Sequence, residues 1–384
     1  MRRAAILLAF VSVLLLPAGP SAAFLSFEGV TNSFIQFVIR QINVPGEFEL
    51  TVGTLTEGED GYTTLEGFSV ADREGVWLSA ERVALDWSPS ALLRGEISLS
   101  LLRLEDVDLR RLPLTGDTPE EEGGEEEEGG IRWPRAPLGV EIAELVLTRL
   151  TVADTILPEA ATLTATGAFR DIGDVQSVRV AAERTDGVGA TLDLDMTRDF
   201  TADTLKARIR FDEPQGGLVA RLAGIPDAPA VSLALDADGP PTDWGGALAA
   251  SVEGYGEVNG TASAAWAGPL SLAADVMLTP GARLAPEIAA AIGEAAQLDI
   301  AAREGGEGRV ALERARFRLA AGRVDARGDF ARTLSDIAID MRADVPEEGA
   351  RLLDPFLAPA TVKGAGLDIA VRGSAAAPRL TMQG

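Results

Sequence analysis

The chain has 384 residues, of which 46% are hydrophobic and only 5% aromatic, and 59 acidic against 34 basic residues give a formal charge of −25. This acidic balance argues against nucleic acid as a partner, because neutralising phosphates takes clustered Lys and Arg. The chain has no Cys and no His, which argues against thiolate chemistry, common metal sites and a Ser-His-Asp hydrolase. We therefore expect no catalytic residue, no metal and no cofactor, and predict that the protein is not an enzyme.

Residues 1–23 have the pattern of a secretory signal. Met1-Arg2-Arg3 precedes the mostly apolar run Ala4–Leu16, and small residues lead up to Ala23. The run is shorter than the roughly 20 apolar residues of a spanning helix. The residues alone therefore favour cleavage after Ala23 over an uncleaved signal anchor, and in both cases the bulk of the chain leaves the cytoplasm.

Residues 24–43 contain the best helical pattern after the signal. Phe34, Ile35, Val38 and Ile42 recur at helical spacing and form one apolar stripe. Two interpretations stay open at even weight: an amphipathic helix at the membrane or at the end of a sheet, and a first core helix.

Residues 44–115 are predicted to form an amino-terminal β-module. Its clearest strand runs from Val76 to Trp87, and Glu96–Leu104 begins the same pattern again. The apolar positions change parity from Leu99 and Leu101 to Leu102 and Leu104, which predicts a bulge.

Trp77 and Trp87 are ten residues apart, so they lie on the same side of a regular strand. They are either core anchors or the lip of a groove near the membrane. The residues assigned as candidate membrane-proximal positions are Phe34, Ile35, Val38, Ile42, Trp77 and Trp87.

Residues 116–137 are an acidic low-complexity linker, and residues 138–384 form a long repetitive β-region. In that region apolar and polar residues alternate with period two, which is typical of strands with one apolar and one wet face. Asp186-Gly187, Asp238-Gly239 and Asn259-Gly260 are hairpin-type dipeptides, and Pro286–Leu298 is predicted to be a short helix.

Something must cover the apolar face of so many strands. Two packed sheets, a closed barrel, and a curled sheet that holds an apolar ligand all satisfy this requirement. Small residues at apolar positions favour the last, so we predict an all-β protein with an elongated, curled antiparallel β-sheet that forms a groove after the signal segment and a short amphipathic helix. The candidate lipid-groove lining comprises Val178, Val180, Leu192, Leu194, Leu205, Ile209, Val231, Leu233, Leu235, Leu270, Leu272, Val276, Ile337, Ile339, Leu367 and Ile369.

Several segments resemble one family over nearly the whole chain. The most specific are Leu65–Asp72, Gly75–Leu78, the run Leu-Asp-Trp-Ser-Pro at 85–89, and Leu92–Gly95. Later segments match less specifically: Val140–Leu147, Gly217–Leu222, Asp238–Leu248 and Gly373–Leu380. With the signal segment and the amphipathic helix, they resemble the amino-terminal part of TamB, the inner-membrane component of the translocation and assembly module in the AsmA-like superfamily.

The resemblance further implies that the groove is taco-like and periplasmic, and that the signal segment is an uncleaved signal-anchor helix, which makes the chain a single-pass protein of the bacterial inner membrane. It also implies membrane phospholipids and a TamA-like outer-membrane barrel as partners, with a role in phospholipid transport and in outer-membrane protein and autotransporter assembly. Family members are usually far longer, and the resemblance leads us to expect a chain truncated at its carboxyl end. A secreted β-repeat structural or adhesive protein is the alternative from another class, and an enzyme is a distant third.

Overall fold

The computed structural model describes residues 49–57, 62–114, 135, 138–157, 159–306, 308–331, 333, 335–357, 364–374 and 377–383. The signal segment and the amphipathic helix with Phe34, Ile35, Val38 and Ile42 lie outside these residues, as does the acidic linker apart from Arg135. Within the described ranges, none of the helices has the length and apolar character that crossing a bilayer requires.

The chain divides into two compact units. Unit 1 comprises the described residues up to 202 together with 216–225, and unit 2 comprises residues 203–215 and the described residues from 226 onwards. Unit 1 contains nine described strands, a 3₁₀ helix at Pro89–Arg94 and the short helix α1 (Leu218–Leu222). The strands are β1 (Glu49–Thr51), β2 (Thr54–Glu57), β3 (Thr63–Asp72), β4 (Gly75–Trp87), β5 (Glu96–Leu109), β6 (Gly139–Val152), β7 (Ala161–Ile172), β8 (Val175–Arg184) and β9 (Thr191–Asp199).

Unit 2 contains eleven described strands and the helices α2 (Pro286–Ile292) and α3 (Glu347–Leu357). The strands are β10 (Thr204–Glu213), β11 (Val231–Gly239), β12 (Trp244–Val252), β13 (Gly256–Ala265), β14 (Ser271–Pro280), β15 (Ala296–Glu304), β16 (Arg309–Leu319), β17 (Gly322–Ala331), β18 (Ile337–Val345), β19 (Ala365–Ser374) and β20 (Ala377–Gln383).

Within each unit the strands form a sheet, which is antiparallel except for one pair in unit 1, and most pairs join strands that follow each other in the chain. In unit 1, β1 and β2 both pair with β3, and β5 pairs with β6 in parallel. In unit 2 every described pairing is antiparallel and joins strands that follow each other in the chain. The all-β class and the large antiparallel sheet are confirmed.

The curl that the sequence predicts is not seen within either unit, since each sheet is open and uncurled. Bulges are the usual means of bending a sheet. In unit 2 the register is continuous from β10 to β15 and shifts only at Ala301/Ala302 and at Leu312/Ala315 among the described strands. Few local bends are therefore built into this sheet.

The Asn259-Gly260 dipeptide is not a turn. Both residues lie inside β13, and Gly260 pairs with Leu248 on one side and Val276 on the other. A Cβ on Gly260 would lie 2.6 Å from the Cα of Val276, so the position requires glycine for close strand approach. The predicted helix at Pro286 does form, but it ends at Ile292, before Gly293 with φ +84°.

Unit 1 buries one face of its sheet. The centre of this core is formed by Leu102, 2% exposed, and Val107, 1% exposed, with neighbours from β3 to β7 packed around them. The predicted bulge is present, because Asp86 pairs with Leu101 while Trp87 pairs with Leu99. The shift carries the apolar positions of β5 onto the face that is buried.

Trp77 belongs to this core and is only 4% exposed, so the core-anchor interpretation describes it and a groove-lip position does not. The argument that placed Trp77 and Trp87 on one side assumed a regular strand. Register shifts interrupt β4 near Val76 and again between Asp86 and Trp87, so ten residues of spacing no longer fix a common side. Trp87 is half-buried at the end of the strand.

Two carboxylates hold loops of unit 1 in place. Arg111 donates to both carboxylate oxygens of Asp72, and the backbone N–H groups of Leu114 and Glu74 donate to them at 2.9 Å. Above all the Arg111 hydrogen bond holds the pKa of Asp72 well below its ordinary value. These hydrogen bonds to Asp72 connect the segment after β5 to the turn between β3 and β4.

Glu159 is the second carboxylate that holds a loop of unit 1 in place. Arg221 of α1 donates to Glu159 Oε2 at 2.6 Å, and the buried Arg184 at the end of β8 donates to Oε1 at 2.8 Å. The hydrogen bond from Arg221, followed by that from Arg184, lowers the pKa of Glu159 from 4.5 to about 2. Glu159 therefore links α1 to the sheet of unit 1.

We expect the stability of unit 1 to fall as the pH drops from about 5 towards 2. The unfolded chain protonates Glu159 near its ordinary pKa of 4.5, whereas the folded chain does so only near 2. Because the unfolded state binds the proton first, the stabilisation is complete above the unfolded pKa and is lost below it. Asp72 acts with the same sign.

Urea unfolding at pH 7 and pH 3, followed by circular dichroism, measures this loss. The variant Glu159→Gln should show a smaller decrease between the two pH values, and the exposed Glu257→Gln of unit 2 serves as control. An identical decrease in Glu159→Gln and the wild type would contradict the assignment.

Candidate functional site: the apolar face of the sheet

The candidate site in unit 2 is built from rows of residues that lie directly opposite one another on successive strands. Directly opposed residues share a face, so each row can be followed across the sheet by register alone. The central row crosses ten strands and contains no polar side chain: Ile209, Leu235, Leu248, Gly260, Val276, Leu298, Phe317, Val324, Ala343 and Leu367.

A second row on the same face is apolar over the same strands. It contains mostly small residues: Ala207, Ala237, Gly246, Ala262, Ala274, Ile300, Ala315, Ala326, Met341 and Ile369. Together the two rows form a continuous apolar strip across unit 2, which we call the apolar strip.

Large side chains on this face remain exposed, unlike those in the core of unit 1. Leu272 is 48% exposed, Phe317 40% and Leu233 37%. Phe317 belongs to the apolar strip, and Leu272 and Leu233 lie beside the strip on the same face, whereas Val276 within it is buried. Exposed apolar surface on a β-sheet commonly marks a binding site for an apolar partner. The face that carries the apolar strip has that character.

The opposite face of unit 2 is polar. The row next to the central one reads Arg208, Asp236, Ala247, Thr261, Asp275, Asp299, Arg316, Asp325, Arg342 and Asp368. Its charges pair across strands, for example Arg208 with Asp236 at 3.2 Å and Arg316 with Asp325 at 3.4 Å. The two faces of the sheet therefore differ completely in the partner that they can accept.

The structure distributes the sixteen predicted lining residues between the two units. Four lie in unit 1 and are half-buried, with Val180 opposite Leu194 and Val178 opposite Met196, while Leu192 lies opposite Ala182. Of the other twelve, Leu270 is half-buried just before β14 and has no partner in the register of the described strands. The remaining eleven share one face of unit 2, the face that carries the apolar strip: Leu205, Ile209, Val231, Leu233, Leu235, Leu272, Val276, Ile337, Ile339, Leu367 and Ile369.

Sequence reasoning missed several members of the central row. Leu298 was assigned to the helix that begins at Pro286, but it lies in β15 opposite Val276 and Phe317. Phe317 follows Ala315 and precedes Leu319 with arginines between them, so the period-two pattern was available there. Leu248 and Val324 lie in segments where alanine and glycine weaken the contrast between the two faces.

The described residues contain no group of three or more acidic side chains placed to hold a metal ion. No protein-family model, curated protein or solved structure matches the chain. The site must therefore be interpreted from its own geometry. In the part of unit 2 that the structure describes, that geometry offers apolar contact across ten strands.

Proposed function

We propose that the apolar strip of unit 2 binds the acyl chains of phospholipids and carries them between membranes without catalysis. The observation that carries the proposal is the unbroken apolar row across ten strands, with Phe317 in the row and Leu272 beside it on the same face left exposed. A strip of this kind gives an acyl chain successive apolar contacts along its whole length.

The energetic reason is the cost of wetting hydrocarbon. Each acyl CH₂ in water costs about 0.8 kcal/mol, so a chain of about sixteen carbons faces a barrier on the order of 10 kcal/mol when it leaves a bilayer. Contact with an apolar strip lowers this barrier with no reaction. In the proposal the sheet curls around the bound chains into a trough, which completes their burial.

The TamB-like segments described above support a setting for this activity. We propose that the chain is anchored in the bacterial inner membrane with its bulk in the periplasm, and that it acts with a TamA-like outer-membrane barrel. Lipid transport and support of outer-membrane protein and autotransporter assembly both belong to the proposal.

Substitution on the apolar strip face should abolish lipid binding. We expect the wild-type protein to co-purify with phospholipid, and Leu272→Asp to lower the bound lipid at least about tenfold, because a buried carboxylate without a partner opposes acyl contact. Met277→Asp is the matched control, since Met277 is 52% exposed on the opposite face of the same strand. Lipid extraction with phosphorus assay and mass spectrometry measures the bound lipid, and Leu233→Asp tests the same face on β11.

Lipid-free wild-type protein, or equal lipid loss in Leu272→Asp and Met277→Asp, would contradict lipid binding by this face. The first result would instead favour a structural or adhesive β-repeat protein. Far-ultraviolet circular dichroism of each variant separates loss of binding from loss of the sheet.

A further inference from the structure

We propose that unit 2 has a second binding site, a phosphate-binding cleft on the polar face over β16–β20. This cleft has a volume of about 790 Å³ and is lined by Arg316, Arg327, Arg342 and Thr381, among others. Its charged side chains lie on the face opposite the apolar strip. Ala326, Met341 and Ile369 of the strip also border the cleft, but they are not among the groups that would bind phosphate, so this site goes beyond the proposed lipid-binding function.

The cleft exists because a small residue interrupts a row of long ones. Arg327, Asp340, Ala370 and Thr381 lie opposite one another on four successive strands. Ala370 leaves space between Asp340 and Thr381, while the neighbouring row continues with Arg342 and Asp368. The result is a recess bordered by charged side chains, with a volume in the range of small-molecule sites.

The carboxylates of the cleft already have cationic partners. Asp325 is paired with Arg323 at 2.6 Å and Glu313 with Arg303 at 2.7 Å. Asp340 accepts a hydrogen bond from Arg372. Each of these three carboxylates is therefore paired with an arginine, and the fourth, Asp368, is paired with Arg342 at 3.4 Å.

Donor groups remain available. Among the described residues Arg327 has no ion-pair or hydrogen-bond partner, and its side chain is exposed at the cleft. Arg342 is held only by long contacts, 3.5 Å to Asp344 and 3.4 Å to Asp368. Thr381 and Gln383 add neutral donors at the same end of the cleft.

A cleft in which Arg327 has no carboxylate partner among the described residues favours an anion. The planar guanidinium of Arg327 offers a fork of N–H groups that matches two oxygens of a phosphate, and Arg342 can contribute from across the recess. The phosphate belongs either to a lipid headgroup or to a free phosphate ester, and the same contacts serve both.

Titration of the full chain with two probes tests the cleft. Inorganic phosphate represents the free anion, and glycerophosphoglycerol represents a lipid headgroup without acyl chains. We expect saturable binding, followed by ³¹P NMR or calorimetry, and an affinity at least about tenfold lower in Arg327→Gln. Arg208→Gln is the control, because Arg208 is an exposed arginine of the same face outside the cleft and is paired with Asp236.

Tighter binding of the diester identifies a lipid headgroup as the source, and tighter binding of inorganic phosphate identifies a free phosphate. Absence of saturable binding for both probes would overturn the proposal, as would equal affinity in Arg327→Gln and the wild type. Loss of lipid binding in Leu272→Asp leaves these titrations unchanged, so the two functions can fail separately.

Discussion

Replacement of Leu102 by alanine is expected to lower the free energy of unfolding of unit 1 by about 2–5 kcal/mol. Leu102 is 2% exposed in the middle of the sheet, opposite Leu85 on β4 and Leu145 on β6. The loss combines the transfer free energy of the removed carbons with the cost of the cavity that stays between three strands. Urea unfolding followed by the fluorescence of the buried Trp77 measures it, in proteins whose other four tryptophans are replaced by phenylalanine.

Leu93→Ala is the matched control, since Leu93 is 67% exposed in the 3₁₀ helix that follows β4. We expect that change to stay within about 0.5 kcal/mol of the wild type. Equal losses for the two variants would mean that Leu102 does not lie in the core of the native protein.

Gly246→Ala is expected to disrupt the pairing of β11 with β12. The added Cβ would overlap the carbonyl oxygen of Asp236 and lie 2.5 Å from the Cα of Ala237, so the two strands must separate. The clash involves backbone atoms, which cannot rotate away, and we expect a cost of about 3 kcal/mol, the upper end for overpacking. Amide hydrogen exchange should accelerate most in β11 and β12.

Gly268→Ala is the matched control, because an added Cβ at this loop position of unit 2 lies within 4 Å of no other atom. The backbone amides of β11 and β12 in that variant should exchange at the wild-type rate. Unchanged protection of β11 in Gly246→Ala would show that the strands are not as close as the structure places them.

The sequence predicts the strands well because their side chains alternate between a wet face and an apolar face. The strand expected at Val76–Trp87 appears as Gly75–Trp87, and the bulge expected near Leu101 is present. The predictions of local structure fail where the pairing of neighbouring strands overrides the local conformational preference of a residue pair. Asn259-Gly260 favours a turn locally, yet close approach of β14 places it inside a strand.

The site could be predicted only in part. Period two identifies which side chains share a face, and this is how Leu233 and Leu272 were found. It does not identify which shared faces are covered, because that depends on long-range packing: Leu102 and Leu272 belong to similar patterns but differ greatly in exposure. The cleft around Arg327 was not foreseen, since it depends on which arginines find carboxylates across the strands.

The parallel pairing of β5 with β6 has a consequence for chain entropy. All other described pairings in unit 1 join antiparallel strands close in sequence, whereas the connection 110–138 links the end of β5 to the start of β6, which lie one strand length apart in this parallel pair. The entropy lost in such a closure grows only with the logarithm of its length, about 0.6 kcal/mol for each doubling. The acidic connection can therefore change in length and composition between related chains at little cost to stability, while β5 and β6 must keep their register.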